Sequence, residues 1–99
     1  MIDRIVLFKL KDEYANDAAR AEIAAHSREA LGRVPGPTEV RVGVPADEPS
    51  TRSWDLSIVV RFADLDAMHA FVKHADHMTY YRDYMVPRME VVKYWCFHT

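Results

Sequence analysis

The sequence predicts an α+β fold in which strands and helices alternate. Three observations lead to this expectation: branched and aromatic residues fill the first ten positions, two segments carry apolar residues at helical spacing, and two later segments alternate apolar with polar residues. A chain of 99 residues is long enough for one modest core, and we therefore expect residues 1–99 to form a single domain.

The composition narrows the class of protein. About half of the residues are apolar and 28% are charged, which is typical of globular proteins. Thirteen basic residues oppose 15 acidic ones without a basic block, so no nucleic-acid partner is expected. Cys96 is the single cysteine and cannot form an internal disulfide, which favours a cytoplasmic location. No leader and no apolar run of roughly 18 residues occurs, so no membrane association is expected.

The first strand is predicted from Ile2 to Leu10, and both of its faces are largely apolar. One face carries Ile2, Val6, Phe8 and Leu10, and the other carries Ile5 and Leu7. Arg4 shares the face of Val6. Because a charge among apolar side chains needs compensation, we expect Arg4 to pair with a carboxylate, such as Asp55, or to contact an anionic ligand.

Two further strands follow a long amphipathic helix. The helix is predicted from Tyr14 to Leu31, with an apolar stripe beside a polar back, and it ends at Gly32 before Pro35. The spacing predicts an outer strand from Thr38 to Val44 and a third strand from Trp54 to Phe62. The breaker-rich segment between these two strands is predicted to be a loop.

The last part of the chain predicts two helices and a strand. Asp64 caps a helix whose inner stripe is Leu65, Met68, Phe71 and Val72. A short helix begins at Ala75 or Asp76, with Asp76 as the predicted N-cap, and ends before Pro87. The final strand is predicted from Glu90 to Phe97.

This order of elements is that of a ferredoxin-like split βαβ domain. In that topology the helices cover one face of the sheet and leave the other bare. Because the strands are apolar on both faces, a second copy of the chain is the expected cover, and burial contributes on the order of 25 cal/mol per Å². The sequence therefore predicts a homodimer formed through the open sheet face.

Titratable groups and aromatic hydroxyls are concentrated between Phe71 and Tyr84. Tyr81 and Tyr84 follow His77 by four and seven positions, so α-helical spacing places all three on one side of a helix. The helix dipole disfavours the imidazolium form of His77, which would leave a neutral ring able to act as a base, although Asp76 acts in the opposite direction. A structural histidine in a pocket wall is the alternative.

Neither a metal nor a cofactor is expected. His74, Asp76 and His77 lie across a helix break, and no second pair of ligands occurs at metal-binding spacing. A chain with three glycines has no glycine-rich phosphate loop. Cys96 has no neighbouring base in the sequence that would make it a nucleophile.

Several segments resemble the stress-responsive A/B barrel (Dabb) family. They are the opening strand ending in Phe8-Lys9, Trp54-Asp55 at the third strand, Phe62 before the second helix, and Phe71 followed six residues later by His77. The resemblance covers nearly the full chain. It implies that the ferredoxin-like domain forms a dimeric α+β barrel, in a family whose functions are mostly unassigned.

The resemblance also implies a site. In olivetolic acid cyclase, a plant polyketide cyclase of this family, the chemistry is attributed to a histidine that corresponds to His77. The family's supporting tyrosine corresponds to Phe71, and its first-strand histidine corresponds to Arg4. Its last-strand aspartate corresponds to Trp95, or to Cys96 if the match shifts by one residue. The supporting groups of that enzyme are therefore replaced in this chain.

We expect a stress-linked or accessory protein, without established catalysis, that binds a small apolar or aromatic ligand. Its predicted pocket residues are Arg4, Val6, Phe71, His77, Tyr81, Tyr84 and Trp95. One alternative is a cofactor-free polyketide cyclase in which His77 is the general base and Tyr81 or Arg4 stabilises the enolate. A monooxygenase of similar fold and a ligand-free structural dimer are the others.

Overall fold

The computed structural model describes residues 1–99. Its strands are β1 (Ile2–Leu10), β2 (Glu39–Gly43), β3 (Leu56–Phe62) and β4 (Met89–His98). Its α-helices are α1 (Asp17–Gly32), α2 (Glu48–Thr51), α3 (Leu65–Lys73) and α4 (Ala75–Thr79). A 3₁₀ turn at Asp12–Tyr14 precedes α1, and a π-helix at Tyr80–Met85 follows α4.

The four strands form one antiparallel sheet in the order β2-β3-β1-β4. The central strand β1 pairs Val6 with Ile58 of β3 on one side and with Tyr94 of β4 on the other. Helix α1 connects β1 to β2, and helices α3 and α4 lie between β3 and β4. Neither of these two pairs of strands is adjacent in the sheet. This is the ferredoxin-like α+β arrangement, and the predicted fold class is confirmed.

Several elements differ from the predicted ones, and both ends of β2 and of β4 move by one residue. Helix α1 begins later, because Asn16 is its N-cap and accepts from the Ala19 amide at 2.9 Å, while Tyr14 belongs to the separate 3₁₀ turn. Trp54 and Asp55 precede β3 instead of opening it. The predicted loop contains the single helical turn of α2, which Asp47 caps.

The core lies between the helices and one face of the sheet. Alternate residues of β3 are buried, as the sequence pattern predicted: Leu56, Ile58, Val60 and Phe62. Met68 and Phe71 of α3 are buried against them, but Leu65 is 42% exposed. The predicted inner stripe of α3 is therefore shorter than expected, because Leu65 occupies the first position of the helix, at the margin of the sheet.

A buried ion pair joins α1 to the sheet. Asp55 is 1% exposed, and its Oδ1 accepts from Arg20 Nε at 2.9 Å, while Oδ2 accepts from the Leu10 amide at 2.8 Å. The expected pair between Asp55 and Arg4 is wrong. Asp55 lies beside the end of β1, where Phe8 pairs with Leu56, and Arg4 lies in the first half of that strand.

The opposite face of the sheet is more exposed. It carries the apolar side chains of Ile5, Leu7, Val59, Trp95 and Phe97. Trp95 is 48% exposed and Phe97 is 51% exposed, although both are large apolar residues in a regular strand. None of the helices has both the length and the apolar character needed to cross a membrane.

We expect Asp55→Ala to reduce the free energy of unfolding by about 3–5 kcal/mol, because the substitution leaves the Leu10 amide buried without a partner and the Arg20 guanidinium with only the exposed Asp17 carboxylate, 3.3 Å away. Urea unfolding followed by circular dichroism measures the loss. Glu48→Ala is the matched control, since it removes an exposed carboxylate that pairs with Arg52 one turn away. Equal losses in the two variants would contradict a structural role for the buried pair.

Candidate functional site

A cavity of about 210 Å³ lies between the sheet and the segment from α3 to the π-helix. Ten of its twelve lining residues are apolar or aromatic. The sheet contributes Val6, Ile58 and Val92, and the helices contribute Leu31, Phe71 and Tyr81. Arg4 and His77 are the two charged or titratable nitrogen side chains in the lining.

The position of His77 depends on the break between α3 and α4. His74 has an extended backbone with ψ 139°, and its Nδ1 accepts from the Asp76 amide at 3.1 Å, so His74 caps α4. The predicted cap, Asp76, is wrong because this residue already lies inside the first turn. With α4 beginning at Ala75, the His77 ring packs against Phe71 at a centroid distance of 4.9 Å.

The His77 imidazole lies in an environment that favours its neutral form. Burial lowers its pKa, the positive charge of Arg4 lowers it further, and the Val72 carbonyl opposes both effects. Nδ1 is buried and has no hydrogen-bond partner in the protein. The sequence predicted the neutral form from the helix dipole, whereas burial and Arg4 are the causes here.

Arg4 has no carboxylate partner. Its Nη1 lies 3.9 Å from Cys96 Sγ, which is a weak acceptor, and its Cζ lies 4.5 Å from the centre of the Tyr94 ring. All the ion pairs of the chain involve other side chains. The guanidinium therefore borders the cavity as a cation that stacks on an aromatic ring.

Two tyrosines of the π-helix line the cavity with different hydroxyl environments. The Tyr80 hydroxyl is 2.7 Å from Ser27 Oγ, both residues are buried, and burial raises the pKa of Tyr80. Tyr81 makes no side-chain hydrogen bond to the protein and is half-buried. Sequence reasoning missed Tyr80, although Ser27 on the buried side of α1 was a signal that a buried partner is needed.

Tyr84 lies outside the cavity, contrary to the predicted pocket. The chain between Tyr80 and Met85 is a π-helix, with the Val86 amide donating to the Tyr81 carbonyl at 2.8 Å. A wider turn advances each residue through a smaller angle, so positions seven apart no longer share a face. Tyr84 instead stacks on His26 at a centroid distance of 3.7 Å.

Trp95 also lies outside the cavity. It pairs with Ile5, and paired residues of antiparallel strands project to the same face, which here is the open one. Its neighbour Tyr94 pairs with Val6 and lines the cavity. The structure therefore brings together Arg4, Val6, Phe71, His77 and Tyr81 from the predicted set and adds Tyr94 in place of Trp95.

The structure contains no group of three or more His, Cys, Asp or Glu side chains that could hold a metal ion. His74 and Asp76 are neighbours, but the Nδ1 of His74 is used as a helix cap, and its distance to Asp76 Oδ2 is 3.9 Å.

Comparison with known proteins identifies relatives of the same fold. A family model described as the stress responsive A/B barrel domain matches residues 2–94. A Dabb family protein from Mesorhizobium loti is 20% identical, with 99% of this chain and 95% of that chain covered and a TM-score of 0.83. No curated protein sequence matches the chain.

Two similar structures are described as dimeric proteins of unknown function with a ferredoxin-like fold. The one from Bacteroides fragilis is 19% identical over 99% of this chain and 95% of that chain, with a TM-score of 0.79. The one from Thermobifida fusca is 18% identical over 99% of this chain and 90% of that chain, with a TM-score of 0.80. At these identities the similarity shows a shared fold.

We expect the stability of the protein to fall in acid partly through His77. Because its folded-state pKa lies below the ordinary value of 6.5, the unfolded chain takes up this proton at a higher pH than the folded chain. The contribution is fully present above that ordinary value and is lost as the pH falls toward and through the lower folded-state pKa.

Urea unfolding midpoints measured between about pH 7.5 and 5 test this linkage. His77→Gln should weaken the dependence of the midpoint on pH, while His69→Gln, at an exposed position of α3, should leave it unchanged. The same pH dependence in wild type and His77→Gln would contradict the assignment.

Proposed function

Because the chain belongs to the stress-responsive A/B barrel (Dabb) family, we propose that residues 1–99 form a single-domain homodimer that binds a small apolar or aromatic ligand. The observation that carries the proposal is the apolar cavity with His77 and Arg4 as its nitrogen-bearing polar groups. An apolar wall with a few polar groups is the usual composition of a small-molecule site.

The size of the cavity favours a small ligand. Its volume of about 210 Å³ is below the roughly 300–1,000 Å³ of sites that hold drug-sized molecules. One ring with a short substituent matches this volume better than a long chain does. Phe71 and Tyr81 offer aromatic surfaces to such a ring, and His77 is the main polar contact.

The open sheet face supports the homodimer. Trp95 and Phe97 expose large apolar surfaces there, and a large exposed apolar patch on a soluble protein marks an interaction surface. The relatives described as dimeric have the same ferredoxin-like fold. A second copy packed on this face covers both aromatic side chains.

The cellular role follows from these expectations. We propose a cytoplasmic, stress-linked or accessory protein that needs no cofactor and has neither a nucleic-acid nor a membrane partner. Its proposed partners are a second copy of the chain and a small aromatic or polyketide-like ligand.

A cofactor-free cyclase is the second candidate, and the neutral ring of His77 beside the charge of Arg4 favours it. His77 would remove the acidic proton between two carbonyls, and Arg4 or Tyr81 would stabilise the enolate. The enolate carbon would attack a further carbonyl of the same molecule, and the imidazolium would return the proton to the alkoxide that forms. A base usually needs a partner that fixes its tautomer, and His77 Nδ1 has none. Turnover of a triketide analogue that drops to background in His77→Ala would favour this candidate.

We expect neutral aromatic probes, such as 4-methylphenol and acetophenone, to raise the melting temperature of the wild-type protein, because a ligand that binds only the folded state stabilises it. Val92→Phe should weaken binding at least about tenfold by placing a ring in the cavity, and His77→Ala should weaken it by removing the polar contact. Isothermal titration calorimetry measures both.

His98→Ala, which removes an exposed histidine at the end of β4, is the control and should bind like wild type. Failure of these neutral probes and of aromatic acids alike to bind an intact dimer would contradict the ligand-binding proposal and favour a structural dimer.

We expect Trp95→Asp to convert the dimer into a monomer at micromolar concentration, because it places a charge in the apolar face that a second copy covers. Analytical ultracentrifugation measures the mass. Leu65→Asp is the matched control, since Leu65 is similarly exposed but lies at the start of α3, away from the open face. A wild-type protein that sediments as a monomer would contradict the proposed assembly.

A further inference from the structure

We propose that the ligand of this cavity is a small aromatic carboxylate whose carboxylate group binds the Arg4 guanidinium while its ring lies among the apolar residues around Val6. This inference rests on the proposed ligand-binding function and adds the charge of the ligand to it. The juxtaposition that carries it is a guanidinium without an anionic partner at the edge of an apolar cavity.

The charge of Arg4 is not compensated by any carboxylate of the chain. A guanidinium has five N–H donors, and a half-buried one is normally matched by a carboxylate, a phosphate or several carbonyl oxygens. In this chain one donor faces Cys96 Sγ at 3.9 Å, and no carboxylate pairs with the group. A bound carboxylate would supply the missing acceptors.

The contact between Arg4 and Tyr94 is one that leaves hydrogen-bond donors of the guanidinium available. Arg4 Cζ lies over the Tyr94 ring, 4.5 Å from its centre, and an aromatic ring does not accept conventional N–H hydrogen bonds in the place of a carboxylate. A carboxylate can accept two parallel hydrogen bonds from an arginine, the geometry that this side chain favours.

Arg4 lies where the apolar cavity meets a groove at the protein surface. It lines the apolar cavity and also the shallow groove outside it, where Val72 of α3 faces Cys96 of β4. A ligand entering from this groove would leave its carboxylate near the protein surface and place its ring deeper. Such an arrangement keeps part of the hydration of the charged group and limits the cost of burial.

The charge balance of the site favours a monoanion. Arg4 is the one permanently charged residue in the cavity lining, and His77 is held toward its neutral form by burial and by Arg4 itself. A monocarboxylate matches one positive charge. A phosphate ester would bring a second negative charge that no other lining residue neutralises, and an amine would be repelled.

We expect benzoate and phenylacetate to bind about ten- to hundredfold more tightly than benzamide and phenylacetamide, because the amides keep the ring and lose the ionic hydrogen bonds. Isothermal titration calorimetry on the wild-type dimer measures the ratio. Arg4→Gln should remove this preference, Arg4→Lys should retain part of it, and Arg52→Gln, at an exposed arginine that follows α2, should leave it unchanged. Acetate, which has no ring, should bind much more weakly than benzoate.

The outcomes separate this inference from the proposed function. If neutral phenols and amides bind but carboxylates have no advantage in wild type, or keep it in a folded Arg4→Gln protein, the charge assignment is overturned and ligand binding stands. If phenols, amides and carboxylates all fail to bind, the proposed function fails and the inference fails with it. Circular dichroism of Arg4→Gln and Arg4→Lys establishes that both variants are folded.

Discussion

The alternation of side chains along β1 determines which residues of the sheet face the helices. Because β1 is central and pairs with both β3 and β4, its register decides which residues of three strands face the helices. Val6 and Tyr94 face the cavity, whereas Ile5 and Trp95 face away from it. The sheet therefore presents two apolar surfaces, and the charge of Arg4 belongs to the one that borders the cavity.

The charge of Arg4 affects the protonation of His77. The fixed charge of Arg4 makes a second positive charge nearby unfavourable, which adds to the effect of burial on the imidazole. The site therefore combines one permanent cation with one neutral ring that can donate or accept a hydrogen bond. In the proposed ligand site, such a pair would discriminate by charge at one position and by hydrogen bonding at the other, within walls that are otherwise apolar.

The sequence predicts the fold well because strand and helix periodicities report local geometry. The burial of alternate residues in β3 and the element order both follow from spacing. The site is predicted less completely. The predicted pocket includes Trp95, but a difference of one position along a strand moves a side chain to the other face of the sheet, and Tyr94 faces the cavity instead. The partner of Asp55 is Arg20, which lies 35 residues away in the sequence and is brought close only by tertiary packing. No local signal in the sequence distinguishes the π-helix, and with it the direction of Tyr84, from an ordinary helix.

The π-helix joins the cavity to α1. Tyr84 packs between the His26 ring of α1 and the Arg88 guanidinium, whose Cζ lies 3.9 Å from the Tyr84 ring centre. Tyr81, three residues earlier on the same segment, forms part of the cavity wall. One short stretch of backbone therefore supplies both a wall of the hollow and the aromatic contact with α1, so a substitution that reshapes this stretch alters both.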